Sequence, residues 1–284
     1  MRNSEHMLLS EINIYPVKSL RGISLKEAAI ERRGLQLDRR WMLVDKNNKF
    51  LTQREFPKMA TLVPEIKSDG LRISNGKKDG ITVPFEFDFE KNERVRIWKS
   101  ICRAEIYNDS INQFFSDALE TKCRLVFMPD ETKRKVNYLY KIAADDHVSF
   151  ADGYPFMLLG KNSLANLNEK LDEPLPMNRF RPNFVIADSE AFAEDGWKRI
   201  RIGDAIFNVV KPSERCVIPT IDQQTGIKTG VEPTKTLASF RTTRGMKKKV
   251  IFGQNLIAEK GGEILRVGDK LEILETKNTP RFVR

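Results

Sequence analysis

Arg199-Ile200-Arg201-Ile202-Gly203-Asp204-Ala205-Ile206-Phe207-Asn208-Val209-Val210 is the stretch that decides the fold class. Two short strand-like runs, Arg199–Ile202 and Ala205–Val210, flank Gly203-Asp204. Gly-Asp suits a primed turn, whose positive φ angles match the twist of paired strands. The stretch therefore reads as a β-hairpin.

The same texture extends in both directions. Upstream, strand-like runs occupy Leu9–Val17, Trp41–Asp45, Phe50–Arg54, Leu71–Ser74, Ile81–Phe87, Val95–Tyr107 and Cys123–Met128. Lys46-Asn47-Asn48-Lys49 reads as the turn of a hairpin between the second and third of these. One helix interrupts them: Asn108 or Asp109 can cap it, and Ile111, Phe114, Phe115 and Leu119 recur at helical spacing. Pro129–Asp146 is polar and weakly periodic and reads as a linker or mobile loop. Beyond it come Phe156–Leu159, a helix over Asn162–Leu171, Phe184–Ala187, the hairpin, a short helix over Pro233–Phe240, and strands at Val250–Phe252, Leu256–Ala258 and Leu271–Leu274. Many short strands with few helices predict a mainly β architecture of barrel type with α additions. Strand–helix alternation of a doubly wound sheet is not evident, and neither GxGxxG nor GxxxxGK[ST] occurs, which argues against Rossmann and P-loop enzymes.

At 284 residues the chain is long enough for one large domain or two ordinary ones. It has no apolar run near the ~20 residues of a membrane span, and Met7-Leu8-Leu9 is too short for a secretory signal. A cytoplasmic protein is expected, with no membrane partner. The net charge of +10 fits either a nucleic-acid surface or a pocket for an anionic cofactor. The basic residues are dispersed and no nucleic-acid motif is present, so RNA binding is the weakest reading.

Immediately after the hairpin comes Lys211-Pro212-Ser213-Glu214-Arg215-Cys216-Val217-Ile218-Pro219-Thr220. A thiol binds metal or attacks as its thiolate, a form that neighbouring cations favour. Lys211 and Arg215 are close in sequence, and the prolines stiffen the segment, so Cys216 is a candidate soft metal ligand; a buried structural cysteine is the alternative. The other cysteines, Cys102 and Cys123, lie in strand-like runs and show no zinc or iron–sulfur spacing. Histidine occurs only as His6 and His147, which leaves almost nothing for a histidine metal site or a Ser/His/Asp triad.

Six segments, in order, resemble one family. Ile14-Tyr15-Pro16-Val17-Lys18-Ser19 and Gly34-Leu35-Gln36-Leu37-Asp38-Arg39-Arg40-Trp41 look like the β-barrel domain that precedes MOSC domains. Phe150-Ala151-Asp152-Gly153-Tyr154-Pro155-Phe156, Arg179-Phe180-Arg181-Pro182-Asn183, Arg215-Cys216 followed by Asp222-Gln223-Gln224-Thr225-Gly226, and Phe252-Gly253-Gln254-Asn255 resemble the MOSC domain itself. The resemblance implies an N-terminal β-barrel domain over residues 1–128, a linker over 129–148 and a C-terminal MOSC β-barrel domain over 149–284.

MOSC proteins of this layout bind the molybdenum cofactor, and the resemblance is to amidoxime-reducing components and bacterial reductases of N-hydroxylated compounds. It implies Cys216 as the protein thiolate on molybdenum, completing a set that the pterin dithiolene begins; a soft ligand suits a sulfur-bound metal. Lys18, Ser19, Arg39, Arg181, Asn183 and Arg215 would hold the cofactor's phosphate and pterin, with Gly153 and Tyr154 lining it. Asp152 would stand near the metal and hold a water or pass protons; an Asx-turn residue before Gly153 is the alternative.

The implied activity is that of a monomeric molybdenum-cofactor oxidoreductase, independent of pyridoxal phosphate, removing oxygen from N–OH or N-oxide groups. No cysteine follows Cys216. Electrons are therefore expected from a separate ferredoxin, flavodoxin or cytochrome b5-like carrier. The rival is a cofactor carrier or sulfur-transfer module without reductase activity. Where some relatives have a cysteine and a serine ahead of the ligand, this chain has Ser213 and Glu214. A two-thiol role is unavailable there, and Glu214 would oppose a cofactor phosphate if it faced it.

Overall fold

The computed structural model describes residues 7–76, 80–89, 91–245 and 247–282; His6 lies outside them. In the first half the strands are β1 (Leu8–Ile14), β2 (Ile23–Leu25), β3 (Glu27–Glu31), β4 (Gly34–Leu35), β5 (Trp41–Val44), β6 (Val63–Ile66), β7 (Gly70–Ser74), β8 (Gly80–Pro84), β9 (Asn92–Ile97), β10 (Ser100–Ile106) and β11 (Arg124–Phe127), with α1 (Asp109–Leu119) before β11. In the second they are β12 (Arg134–Lys135), β13 (His147–Val148), β14 (Phe156–Gly160), β15 (Phe184–Ala187), β16 (Trp197–Ile202), β17 (Ala205–Glu214), β18 (Ile251–Ala258), β19 (Ile264–Arg266) and β20 (Leu271–Thr276). Helix α2 (Lys161–Asn168) joins β14 to β15, and α3 (Thr234–Phe240) precedes β18. The protein is mainly β with a few helices.

The hairpin at Gly203-Asp204 forms, with Ile202 opposite Ala205 and Gly203 at φ 55°. It seeds an eight-stranded sheet in the order β2-β1-β15-β14-β18-β17-β16-β20. Leu8 bridges Lys270, next to β20, so the sheet returns upon its own first strand as a barrel. Alternate residues fill it: Leu9, Ile12, Phe156, Leu158, Phe184, Ile200, Ile202, Phe207, Val209 and Leu256 form one buried core. The N-terminal strand thus closes a barrel built mostly from the C-terminal half. One parallel pair, β14 with β15, encloses α2 as a single strand–helix–strand unit in an otherwise antiparallel sheet.

Residues 41–127 build sheets β5-β11-β10-β9 and β6-β7-β8, around a core of Trp41, Leu43, Leu71, Ile73, Phe115 and Leu125, whereas β3 and β4 form a sheet with β19 and pack Ala28, Ile30 and Leu35 into the barrel core. Helix α1 starts where the sequence places it, since the Asn108 side chain accepts from the Ile111 amide at 3.1 Å. Between β1 and β2, Val17 bridges Trp41 and joins the two halves.

Three local expectations are corrected. Val95–Tyr107 is split by a turn at Trp98-Lys99, with Trp98 at φ 53°; no Gly, Pro, Asn or Asp marks it. Val250–Phe252 and Leu256–Ala258 merge into β18, since Gly253 takes φ 79° without ending the strand. Phe50–Arg54 is not a strand. Only Phe50 bridges back to Val44, and the chain then turns because the Thr52 carbonyl accepts from the amides of Glu55 and Phe56. Residues 129–148, which read as linker or loop, carry the paired strands β12 and β13 and bury Arg134 against the carbonyls of Ser149 and Ala151. No helix among the described residues is long and apolar enough to cross a membrane.

Candidate functional site

Strand β17 ends at Glu214, so Cys216 emerges at the barrel rim beside a cavity of about 830 Å³. Every residue the sequence singled out borders this cavity: Lys18, Ser19, Arg39, Asp152, Gly153, Tyr154, Arg181, Asn183, Arg215 and Cys216. They arrive from five separate segments. Ser19, Arg39 and Arg181 are non-glycine residues with left-handed backbone, at φ 68°, 50° and 56°. Such conformations persist only where the surroundings enforce them, and they gather at ligand sites.

The floor of the cavity is organised by Asp38, a residue sequence reading passed over. Its fully buried carboxylate accepts from the Tyr15 amide (2.8 Å), Arg39 Nη1 (2.5 Å) and Asn183 Nδ2 (3.2 Å). Burial pushes its pKa up, against the pull of Arg39. Arg39 and Arg181 each stand 4.2 Å from the Tyr15 ring centroid, stacked as guanidinium on aromatic. Asn183 is wholly engaged, donating to Asn13 O and Asp38 and accepting from the Met157 amide, so it braces the lining. Arg215 likewise donates to the carbonyls of Phe252 and Phe180 and anchors the loop that carries Cys216. The Ser19 hydroxyl has no protein partner among the described residues.

Charge in the site is unbalanced. Lys18, Arg39, Arg54, Arg134, Arg181 and Arg215 border the cavity, against Asp152, the Asp38 carboxylate beneath Arg39 and a Glu214 already neutralised by Lys211 (2.8 Å) and Lys249 (3.1 Å). Burial lowers Lys18 to about 8, although Asp152 at 2.5 Å opposes the change. Burial also lowers Arg181 and Arg215 to about 10 each. Cations held in this way are poised to gain from an anionic ligand, which would restore the interactions lost on leaving water. Partial desolvation at the cavity wall would raise the Asp152 pKa, but Lys18 and Arg54 outweigh it and hold the carboxylate far below its usual range.

The cation that meets Cys216 is neither Lys211 nor Arg215. It is Arg54, whose Nη2 lies 3.3 Å from the sulfur and 3.5 Å from Asp152 Oδ2. The Ile218 amide also points to the sulfur at 3.5 Å. Trp98 Nε1 donates to Asp152 Oδ1 at 3.1 Å, and the Arg54 guanidinium packs 4.9 Å from the Trp98 ring centroid. The turn bearing Arg54 is fixed by its neighbour Gln53, fully buried, which donates to Ser19 O (2.7 Å) and exchanges two amide hydrogen bonds of 3.0 Å with Gln223. The motif signal was present for Gln223, in Asp222-Gln223-Gln224-Thr225-Gly226. Arg54 carries no such signal, since its stretch, Phe50–Arg54, reads as a strand.

Among the described residues no three of His, Cys, Asp and Glu converge on one point. A metal at Cys216 would have to arrive with most of its own ligands. His147 is buried in the β12–β13 pair, its Nδ1 against Asp145 O, and does not border the cavity. Cys102 is half-buried and Cys123 buried; burial raises the pKa of both thiols, Cys123 to about 11.

This fold and site define a class. The MOSC N-terminal beta barrel domain matches residues 6–122 and the MOSC domain residues 145–272. The chain belongs to the MOSC family, in the form with an N-terminal β-barrel domain. It is 28% identical to human mitochondrial amidoxime-reducing component 1 over 279 residues, covering 94% of this chain and 82% of that protein. It is 30% identical to mitochondrial amidoxime reducing component 2 of Rattus norvegicus, covering 92% of this chain and 81% of that protein. It is also 30% identical to the molybdenum cofactor sulfurase of Oryza sativa subsp. japonica, covering 86% of this chain but 32% of that protein.

Proposed function

We propose that this protein is a molybdenum-cofactor-dependent oxidoreductase that reduces N-hydroxylated compounds with electrons from a separate carrier. One observation carries the reading: the half-buried Cys216 thiol borders the same cavity as Lys18, Arg39, Arg54, Arg134, Arg181 and Arg215, more cations than the neighbouring Asp38 and Asp152 carboxylates balance. That donor set fits a cofactor that is anionic and brings sulfur ligands with its metal. Similarity to amidoxime-reducing components over most of both chains supports the substrate class.

In this reading Cys216 Sγ is the protein's ligand to the metal. Lys18, Arg39 and Arg181 hold the phosphate and pterin, and Ser19 offers its hydroxyl. Asn183 and Arg215 brace those contacts, and Gly153, where an added Cβ would meet nothing within 4 Å, leaves room beside Asp152. When bound, the cofactor supplies two-electron oxygen transfer: R–NHOH plus two electrons and two protons gives R–NH2 and water. Asp152, held ionised by Lys18 and Arg54, orients a substrate N–H or O–H by accepting from it. Protons enter from water at the cavity mouth. Electrons come from a ferredoxin, flavodoxin or cytochrome b5-like protein.

The test is anaerobic turnover of an aromatic amidoxime by the loaded protein with a reduced dye as donor. Amidine formation that is lost in Cys216→Ala is expected; full activity in a folded Cys216→Ala protein would overturn the proposal. The match to a molybdenum cofactor sulfurase favours one alternative, a cofactor carrier or sulfur-transfer module. Stoichiometric bound cofactor with no turnover of any N-hydroxylated compound would select it.

A further inference from the structure

We propose that Arg54 is the positioning residue of this site: its guanidinium holds the Cys216 sulfur and the Asp152 carboxylate in one arrangement against the Trp98 indole. The inference rests on the proposed function and adds a residue to it. A single nitrogen, Nη2, approaches both groups, at 3.3 Å from the sulfur and 3.5 Å from the carboxylate. Three donors from three segments grip Asp152: Lys18 after β1, Arg54 after β5, and Trp98 between β9 and β10. Only Arg54 also touches the sulfur.

Geometry argues for a role in the chemistry of the site rather than in folding. Asp152 also accepts from Lys18 at 2.5 Å and Trp98 at 3.1 Å, so removing Arg54 would leave it partnered and orphan no buried charge. The Arg54 side chain is 22% exposed and Asp152 55%, so this ion pair contributes little to stability. Yet Arg54 is placed with care. Its amide donates to Thr52 Oγ1 at 3.2 Å, and Gln53, one residue before it, is bolted to Ser19 and Gln223. A hydrogen bond to a metal-ligating sulfur orients the ligand and draws charge from it, and loss of such outer contacts changes affinity or activity by roughly 10–100-fold.

The experiment compares wild type, Arg54→Met and Arg54→Lys, full-length and purified from a host that makes the cofactor. Arg54→Met should keep molybdenum and pterin within about twofold of wild type and alter the electron paramagnetic resonance signal of the partly reduced metal. Its kcat should fall roughly 10–100-fold with KM little changed, and Arg54→Lys should recover part of the loss. An unchanged signal and kcat in Arg54→Met would overturn the proposal, as would loss of the cofactor from that variant alone, which would make Arg54 a binding residue. A wild type without metal defeats the proposed function instead. Arg54 is then tested on the cofactor-free chain, by mass-spectrometric rates of Cys216 alkylation with iodoacetamide: a several-fold change in Arg54→Met supports the contact, and equal rates refute it.

Discussion

Replacing Gln53 with leucine should destabilise the protein by about 3 kcal/mol, because it removes three buried hydrogen bonds at nearly constant volume. The Ser19 carbonyl loses its side-chain donor, which costs about 1–3 kcal/mol for an orphaned buried acceptor. Gln223 loses both bonds to Gln53, each worth about 1 kcal/mol net, but keeps Ile221 O at 3.1 Å and Arg181 Nη1 at 3.2 Å. For a chain of this size about 2–4 °C of Tm goes with each kcal/mol, so the fall should be roughly 6–12 °C. Urea unfolding of Gln53→Leu, Gln223→Leu and the double variant is the assay. The two losses should not add, with a coupling of about 1–2 kcal/mol between the residues. A destabilisation below about 0.5 kcal/mol, or strict additivity, would refute the argument that this amide pair ties the Arg54 turn to the loop after Cys216.

In the proposed function Lys18 holds an anion, which it can do only as its ammonium form, and burial lowers its pKa from 10.5 to about 8. Sulfate affinity of the cofactor-free chain, measured calorimetrically, should therefore be flat below about pH 8 and fall by up to about tenfold per pH unit above it; a profile flat to about pH 9.5 would show that Lys18 does not contribute. Arg241→Met strands Asp195, 2.6 Å away with both side chains buried, and should cost about 3–5 kcal/mol in urea unfolding despite the remaining Gln254 donor. Gly226→Ala places a Cβ 3.0 Å from Pro57 O at φ 68° and should cost about 1–2 kcal/mol; wild-type stability there would mean that the turn relaxes freely.

The barrel was legible because its strands alternate and its central hairpin turns on Gly203-Asp204, so local chemistry and tertiary pairing agree there. Phe184–Ala187 appears within the same bounds in sequence and structure. What failed were turns made by tertiary contact. Trp98 adopts left-handed backbone in a hairpin without any turn residue, where its ring packs 4.9 Å from Phe50 and its indole N–H reaches Asp152. Nothing local announces that. The cavity residues were found through motifs, but their division of labour was not: Asp38, Gln53 and Arg54 act through partners 23 to 170 residues away. Sequence adjacency named Lys211 and Arg215 as the cations beside Cys216, yet one pairs with Glu214 and the other is tied to carbonyls.

The most direct test of the central claim is the metal and pterin content of the full chain expressed in a cofactor-competent host, beside Cys216→Ser. Near-stoichiometric molybdenum and pterin in wild type, with altered metal coordination in the variant, is the predicted result. Folded wild-type protein from that host carrying neither molybdenum nor pterin would contradict it.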